Sequence, residues 1–311
     1  IIGRRPAVTD LSSARVRVPC STSNLGAGFD TLGLALDRFL DVSFTPDSSG
    51  SLRVVREGTL RTLPEDETDI VAEILKSRVA GVSVSGVLKM HSDIPVGRGL
   101  GASAAARVAG HDLALAVRGL PRNDGATFDS AYREEGHGDN AAPSMFGGLR
   151  AVAETEDGPM VMSLPLSPQV GFAYAAPSVG VSTDEARRQL PKSVSHGLAT
   201  ASLGRLVALL QGLAEGDADL IRIGAQDELH VPYRMALIPR ASSVISAGID
   251  AGAWAVTVSG AGSGLIAMCD QSDAGGVAEA MHQAFDEGSG DPECFGFSLS
   301  PTERGLERIA F

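Results

Sequence analysis

The stretch Asp93 to Ala106, DIPVGRGLGASAAA, holds the residues of this 311-residue chain best suited to chemistry. Gly97, Gly99 and Gly101 alternate and lead into small residues that continue as a helix. Without Cβ atoms, such a loop lets backbone N–H groups close around an anion. The helix that follows adds its unpaired first N–H groups and the positive end of its dipole. The expected guest is a polyphosphate. The spacing is not Walker A, because no Lys follows the glycines, and it lacks the acidic partner of a dinucleotide G-x-G-x-x-G. A tight helix-on-sheet turn uses similar residues, so the motif alone leaves both readings open.

A loop of this kind needs a sheet and helices to hold it. Alternating apolar residues over Ala14–Val18 and Leu40–Phe44 predict strands, as do Leu52–Glu57 and Gly86–His91. Ile70, Val71, Ile74, Leu75 and Val79 recur at helical spacing and predict a helix over Asp69–Ala80. The loop's own helix is expected over Ser103–Val117, stopping before Gly119 and Pro121. A helix over Thr127–Glu135 and a strand over Gly147–Ala153 follow. Further on, strands are expected at Val170–Ala175, Ala253–Val258 and Leu265–Cys269, with helices at Thr200–Glu215 and Asp273–Asp286. This mixture reads as α+β. The loosest segments are Asp47–Ser51, Gly119–Gly125 and Glu287–Pro292.

Length and 43% hydrophobic content allow a sizeable core, divided into two domains. A net charge of −12 argues against a nucleic-acid surface, which needs a positive field. Cys20, Cys269 and Cys294 show neither a C-x-x-C pair nor zinc spacing and read as thiols of a reducing cytosol. No stretch of about 18 apolar residues suggests a membrane span, and residues 1–14 lack a hydrophobic leader core. The expectation is a cytoplasmic protein.

Pro95 to Ala105, PVGRGLGASAA, resembles the central signature P-x-x-x-G-L-G-S-S-A-A of the GHMP kinases, with Ala102 in place of the first serine. VPCSTSNLGAGFDTLGLAL (Val18–Leu36) and VTVSGAGSGLIAM (Val256–Met268) match two further motifs in the required order. Outside the nucleotide loop, EGHGDNAAPSMFGG (Glu135–Gly148), STDEARRQLP (Ser182–Pro191) and DELHVPYRMALIP (Asp227–Pro239) are most similar to the homoserine-phosphorylating branch. The resemblance implies an N-terminal ATP-binding domain over 1–160 with an unusual left-handed βαβ. It also implies a ferredoxin-like domain over 161–311, with the site in the cleft between them. ATP, Mg²⁺ and L-homoserine are the implied ligands, O-phospho-L-homoserine on the route to threonine the product, and a homodimer the implied assembly.

Carried over residue by residue, the resemblance assigns nucleotide binding to Pro95, Val96, Gly97, Arg98, Gly99, Leu100, Gly101, Ala102, Ser103, Ala104 and Ala105. Thr68, Asp69 and Val71 fall where relatives contact the base. Metal binding falls to Ser103 and a helical carboxylate, read as Asp129 with Glu134 and Glu135 as rivals. Asn24 and Asp30 would hold the amino group and hydroxyl of a small amino acid, although an Asx turn and a helix cap are equally ordinary uses. Arg187 and Arg234 would grip its carboxylate, a task suited to arginine's planar fork. Arg188 is a decoy. His137 would line the pocket, Asp139 would be structural, and Asn140 would orient the hydroxyl, since an amide accepts no proton at neutral pH. Gly260, Gly262 and Gly264 would close over the cleft. The catalytic set is therefore Asn140, Ser103 and Asp129. Another small-molecule GHMP kinase, or a catalytically silent ligand-binding paralogue signalled by Ala102, remains the alternative.

Overall fold

Strand β1 (Ala14–Ser23) pairs antiparallel with the long β2 (Leu32–Pro46), and a register shift at Pro19/Cys20 bends the pair where the first motif begins. Along β2, Leu40, Val42 and Phe44 are buried in alternation, as a half-buried strand requires. The computed structural model describes residues 11–64, 68–79, 82–287, 291 and 293–310. Residues 1–10, Ala80 and part of the loose 287–292 tract lie outside the described residues.

β3 (Leu52–Gly58) and β4 (Gly86–Ser92) pair in parallel across α1 (Ile70–Arg78), the βαβ unit of the chain. With β5 (Leu149–Thr155), β6 (Gly158–Leu164) and β11 (Glu307–Ile309) these strands form a seven-stranded sheet, ordered β11-β1-β2-β4-β3 with β5 and β6 branching from β2. Helices α1, α2 (Ala102–Ala116), α3 (Asp124–Glu135) and α4 (Ala141–Phe146) pack with it.

The second sheet takes the order β10-β7-β9-β8, all antiparallel, from β7 (Val170–Ala176), β8 (Ala255–Val258), β9 (Leu265–Asp270) and β10 (Phe295–Leu299). In sequence order this is 4-1-3-2, the ferredoxin-like arrangement expected. Period two divides the sheet's side chains. Phe172, Tyr174, Ile266 and Met268 join the main core, whereas Ala173, Ala175, Leu265 and Ala267 face a second core. That second core is closed by α9 (Ala241–Asp250) and α10 (Ala274–Asp286).

Several elements differ from expectation. β6 runs past residue 160 in the first sheet and β11 returns to it, so sheet membership does not follow a single cut at 160. The helix expected from Thr200 starts at His196 as α6 (His196–Glu215), because the Ser195 hydroxyl accepts from Leu198 N–H and caps it. By length and composition α6 is also apolar enough to cross a membrane, against the expectation that the sequence holds no such stretch. Its Ser202, Leu209, Gly212 and Leu213 are nevertheless buried, the helix packing beside α7 (Ala218–Gly224). The three cysteines are buried and unpaired. Burial pushes the Cys20 thiol up to about 12, which suits packing rather than nucleophilic chemistry.

Candidate active site

The glycine loop runs from β4 into α2. Gly97, Gly99 and Gly101 all adopt positive φ (68°, 79° and 64°), a conformation that Gly reaches without strain. Two of them have a second role. A Cβ on Gly99 would collide with the Ser259 carbonyl, and one on Gly101 with Ser21 and Asn140, whereas Gly97 faces open space. Gly101 is the α2 N-cap and supplies no capping side chain, leaving the first turn's N–H groups for an anion.

The three motifs are joined by hydrogen bonds. Ser259 Oγ bonds Gly99 O at 2.7 Å and Thr22 Oγ1 at 2.9 Å, Gly260 N–H donates to Ser23 O at 2.9 Å, and Gly264 N–H donates to Arg98 O at 3.2 Å. Arg98 turns away from the cradle. Its guanidinium donates to the carbonyls of Val96, Pro177 and Ser178, tying the loop to the segment after β7.

A cleft of about 460 Å³ extends along this loop. One end is apolar, lined by Leu60, Leu63, Val71, Met90, Ile94 and Val96. Asp69 lies there, but its carboxylate caps α1 through Ala72 N–H at 3.0 Å and faces Arg56 at 3.5 Å. The other end is polar, formed by Asn24, His137, Asn140, Arg187, Arg234 and Gly260.

At that polar end, Asn24 has φ 61°. Its Oδ1 accepts from Asp30 N–H at 2.8 Å and its Nδ2 donates to Gly260 O at 3.0 Å, so its amide is engaged in building the turn. Arg187, on α5 (Thr183–Arg188), grips Asp30 through two hydrogen bonds of 2.7 and 3.0 Å, while Arg188 is exposed. Burial pulls the Arg187 guanidinium down, but Asp30 outweighs it and the net shift is upward. Arg234 ends the short α8 (Val231–Arg234) and is 1% exposed. It donates to Gly260 O at 2.7 Å and contacts His230 Nδ1 at 3.3 Å, and burial holds it below the usual arginine range. Burial keeps His230 neutral too, so Nδ1 accepts from Arg234 while Nε2 donates to Gly26 O at 3.2 Å. Among the described residues Arg234 forms no ion pair. A buried cation without its anion is costly unless a ligand supplies one.

Asn140 lines the cleft with its amide fixed at both ends, Oδ1 accepting from Ser21 Oγ at 3.1 Å and Nδ2 donating to Ser23 Oγ at 2.8 Å. Asp139 is fully buried and hydrogen-bonded to His137 Nδ1. Burial opposes charge on both, yet their mutual attraction wins: the imidazole shifts up and the carboxyl down.

The carboxylate beside Ser103 is Glu135, not Asp129. Glu135 Oε1 accepts from Ser103 Oγ at 2.9 Å, and its side chain is 10% exposed. Asp129 is exposed on α3 and does not line the cleft. Six residues separate the two, which places them roughly 120° apart around the helix. The buried face of α3 runs through Thr127, Phe128 and Ala131 toward Glu135, a spacing readable in the sequence. Ser21, Ser23 and Arg107 escaped the sequence reading, because their roles depend on contacts more than a hundred residues away or on an unanticipated side-chain pairing.

The loop, cleft and paired sheets define a kinase of the GHMP class. The family profile "GHMP kinases N terminal domain" matches residues 68–148 and "GHMP kinases C terminal" matches residues 209–287. Homoserine kinase of Moorella thermoacetica is 40% identical over 259 residues, 82% of this chain and 86% of its own. That of Microchaete diplosiphon is 36% identical, covering 88% and 91%. The crystal structure of homoserine kinase from Cytophaga hutchinsonii superposes with a TM-score of 0.80 at 27% identity, across 99% of this chain and 100% of that one. The chain belongs to the homoserine kinase family.

Proposed function

We propose that the protein transfers the γ-phosphoryl group of ATP to the side-chain hydroxyl of L-homoserine, giving O-phospho-L-homoserine and ADP for threonine synthesis. The observation that carries this reading is the polar end of the cleft. Arg234, buried and in no ion pair among the described residues, lies beside the Arg187–Asp30 pair. That set complements a zwitterion: guanidinium groups for the carboxylate, Asp30 for the ammonium. A neutral sugar would leave Arg234 unpaired.

The apolar end takes the adenine, and the amides of the glycine loop and the α2 N-terminus take the phosphates. Ser103 and Glu135 are hard oxygen donors at the phosphate end, which fits Mg²⁺. Bound there, the ion screens phosphate charge. Asn140, held by Ser21 and Ser23, orients the acceptor hydroxyl. Asp139 is fully buried, bonds His137 through Oδ1 and does not line the cleft, so it is not placed as the base. Positioning and charge stabilisation carry the reaction, and the hydroxyl proton leaves with the transferred phosphate. A cytoplasmic homodimer belongs to the same reading, and sedimentation of the purified protein tests the assembly.

The experiment is ADP release with Mg²⁺ across L-homoserine, mevalonate and galactose. Turnover confined to homoserine is expected. Equal turnover of mevalonate would favour another kinase of the class, and none with any acceptor a silent binding protein.

A further inference from the structure

Arg107 lies one helical turn beyond Ser103 on α2, which stands its side chain beside that hydroxyl. The guanidinium donates to Ser103 Oγ and, at 2.5 Å, to Glu135 Oε1. Ser103 Oγ itself reaches Glu135 Oε1 at 2.9 Å, so three groups close a triangle at the phosphate end of the cleft. Two of them are the oxygen donors assigned above to the metal, and the third is already a cation. Glu134 backs it, with Oε2 3.7 Å from Arg107 Nε and Oε1 2.9 Å from the buried His111.

We infer that Arg107 is a positioning residue that holds the cation seat between Ser103 and Glu135 until the metal–nucleotide complex arrives, and thereby disfavours free metal. The inference rests on the reading of Ser103 and Glu135 as the metal pair. Two effects act together. A cation bonded to both donors must release them before another can bind. Its charge also repels a divalent ion at close range, in a site where neighbours are largely shielded from solvent. A metal that comes with nucleotide carries phosphate oxygens, which offset the repulsion and offer the guanidinium a new acceptor. Glu134 keeps Arg107 from leaving the site.

Mn²⁺ binding to the full chain, followed by electron paramagnetic resonance without nucleotide or homoserine, tests this. Arg107→Met should tighten Mn²⁺ on the order of tenfold. Arg107→Lys, which keeps the charge, should return the affinity toward that of the unaltered protein. A purely structural role would only weaken binding, so equal or weaker Mn²⁺ affinity in Arg107→Met overturns the inference. Unchanged Mn²⁺ binding in Glu135→Gln removes the metal pair and the inference with it. Should the Arg107 variants fail to fold, the unaltered protein still decides. Its Arg107 guanidinium N–H signals in NMR should shift when Mg²⁺ and a non-hydrolysable ATP analogue are added together, and signals that stay put overturn the inference. None of these readouts involves homoserine, so their failure is distinct from failure of the proposed reaction.

Discussion

Replacing Arg234 by Leu separates a ligand-binding cation from a structural one. In the free protein this guanidinium is 1% exposed and bonded to Gly260 O and His230 Nδ1, and among the described residues no carboxylate is paired to it. Leucine would remove an unmatched buried charge, a change that often stabilises. The Gly260 carbonyl would keep its bond from Asn24 Nδ2 at 3.0 Å. The melting temperature of Arg234→Leu should therefore equal or exceed that of the unaltered protein. Homoserine binding should move the other way. Losing one partner of a buried charge-assisted pair costs about 2–5 kcal/mol, or roughly thirty- to several-thousand-fold in homoserine KM. Arg187 differs, because it is 35% exposed and already gripped by Asp30. Substrate must share that pair, so Arg187→Leu should cost nearer 1 kcal/mol, about fivefold. Steady-state kinetics with each substrate varied, beside a thermal melt, measures all of this. The reasoning fails if Arg234→Leu melts lower, if its ATP KM rises as much as its homoserine KM, or if Arg187→Leu is the more damaging change.

Glu135→Gln should lower Mg²⁺-dependent kcat by about a hundredfold while Asp129→Asn leaves it unchanged, since only Glu135 reaches Ser103; equal loss in both would return Asp129 to the site. Asn140→Ala should lower kcat but leave measurable turnover, with no essential base titrating near neutrality in the pH profile; a folded, substrate-binding Asp139→Asn enzyme with no turnover would show that a carboxylate base exists. Ala102→Ser should alter kcat less than about threefold, because the cradle is built from backbone N–H groups; a large gain would mark the chain as impaired. The upward-shifted His137 contributes stability that is present below about pH 6.5 and lost as pH rises through its folded value. The fall in melting temperature from pH 6 to pH 8 should therefore flatten in Asp139→Asn, and an identical slope would remove this pair as its source.

Much of the fold was legible because it rests on local rules. The helix of the glycine loop and the strands flanking it follow from periodicity and glycine spacing, whereas the division into two units follows from length and the family resemblance. α6 begins four residues before the expected Thr200, because its start is set by the Ser195 cap rather than by apolar spacing. β11, three residues long, carries too little pattern to be read, and its pairing with β1 spans nearly the whole chain.

The sequence by itself placed a glycine loop ahead of a helix, the shape of a phosphate cradle, and the family resemblance singled out Arg187 and Arg234, since all lie in contiguous motifs whose residue types restrict the chemistry. Only the tertiary structure decided between Asp129 and Glu135, because both are acidic residues of one helix and the packed face of α3 selects which reaches Ser103. It also separated Arg187 from Arg234, which look alike in sequence: one is paired with Asp30, and the other is buried over the Phe29 ring, bonded to a carbonyl and an imidazole and, among the described residues, in no ion pair. Electrostatic environment is a sum over neighbours in space. For Arg234 those neighbours include Gly260, His230, Phe29 and Asp30, brought together by the packing of separate segments, and no local reading of the chain contains that sum.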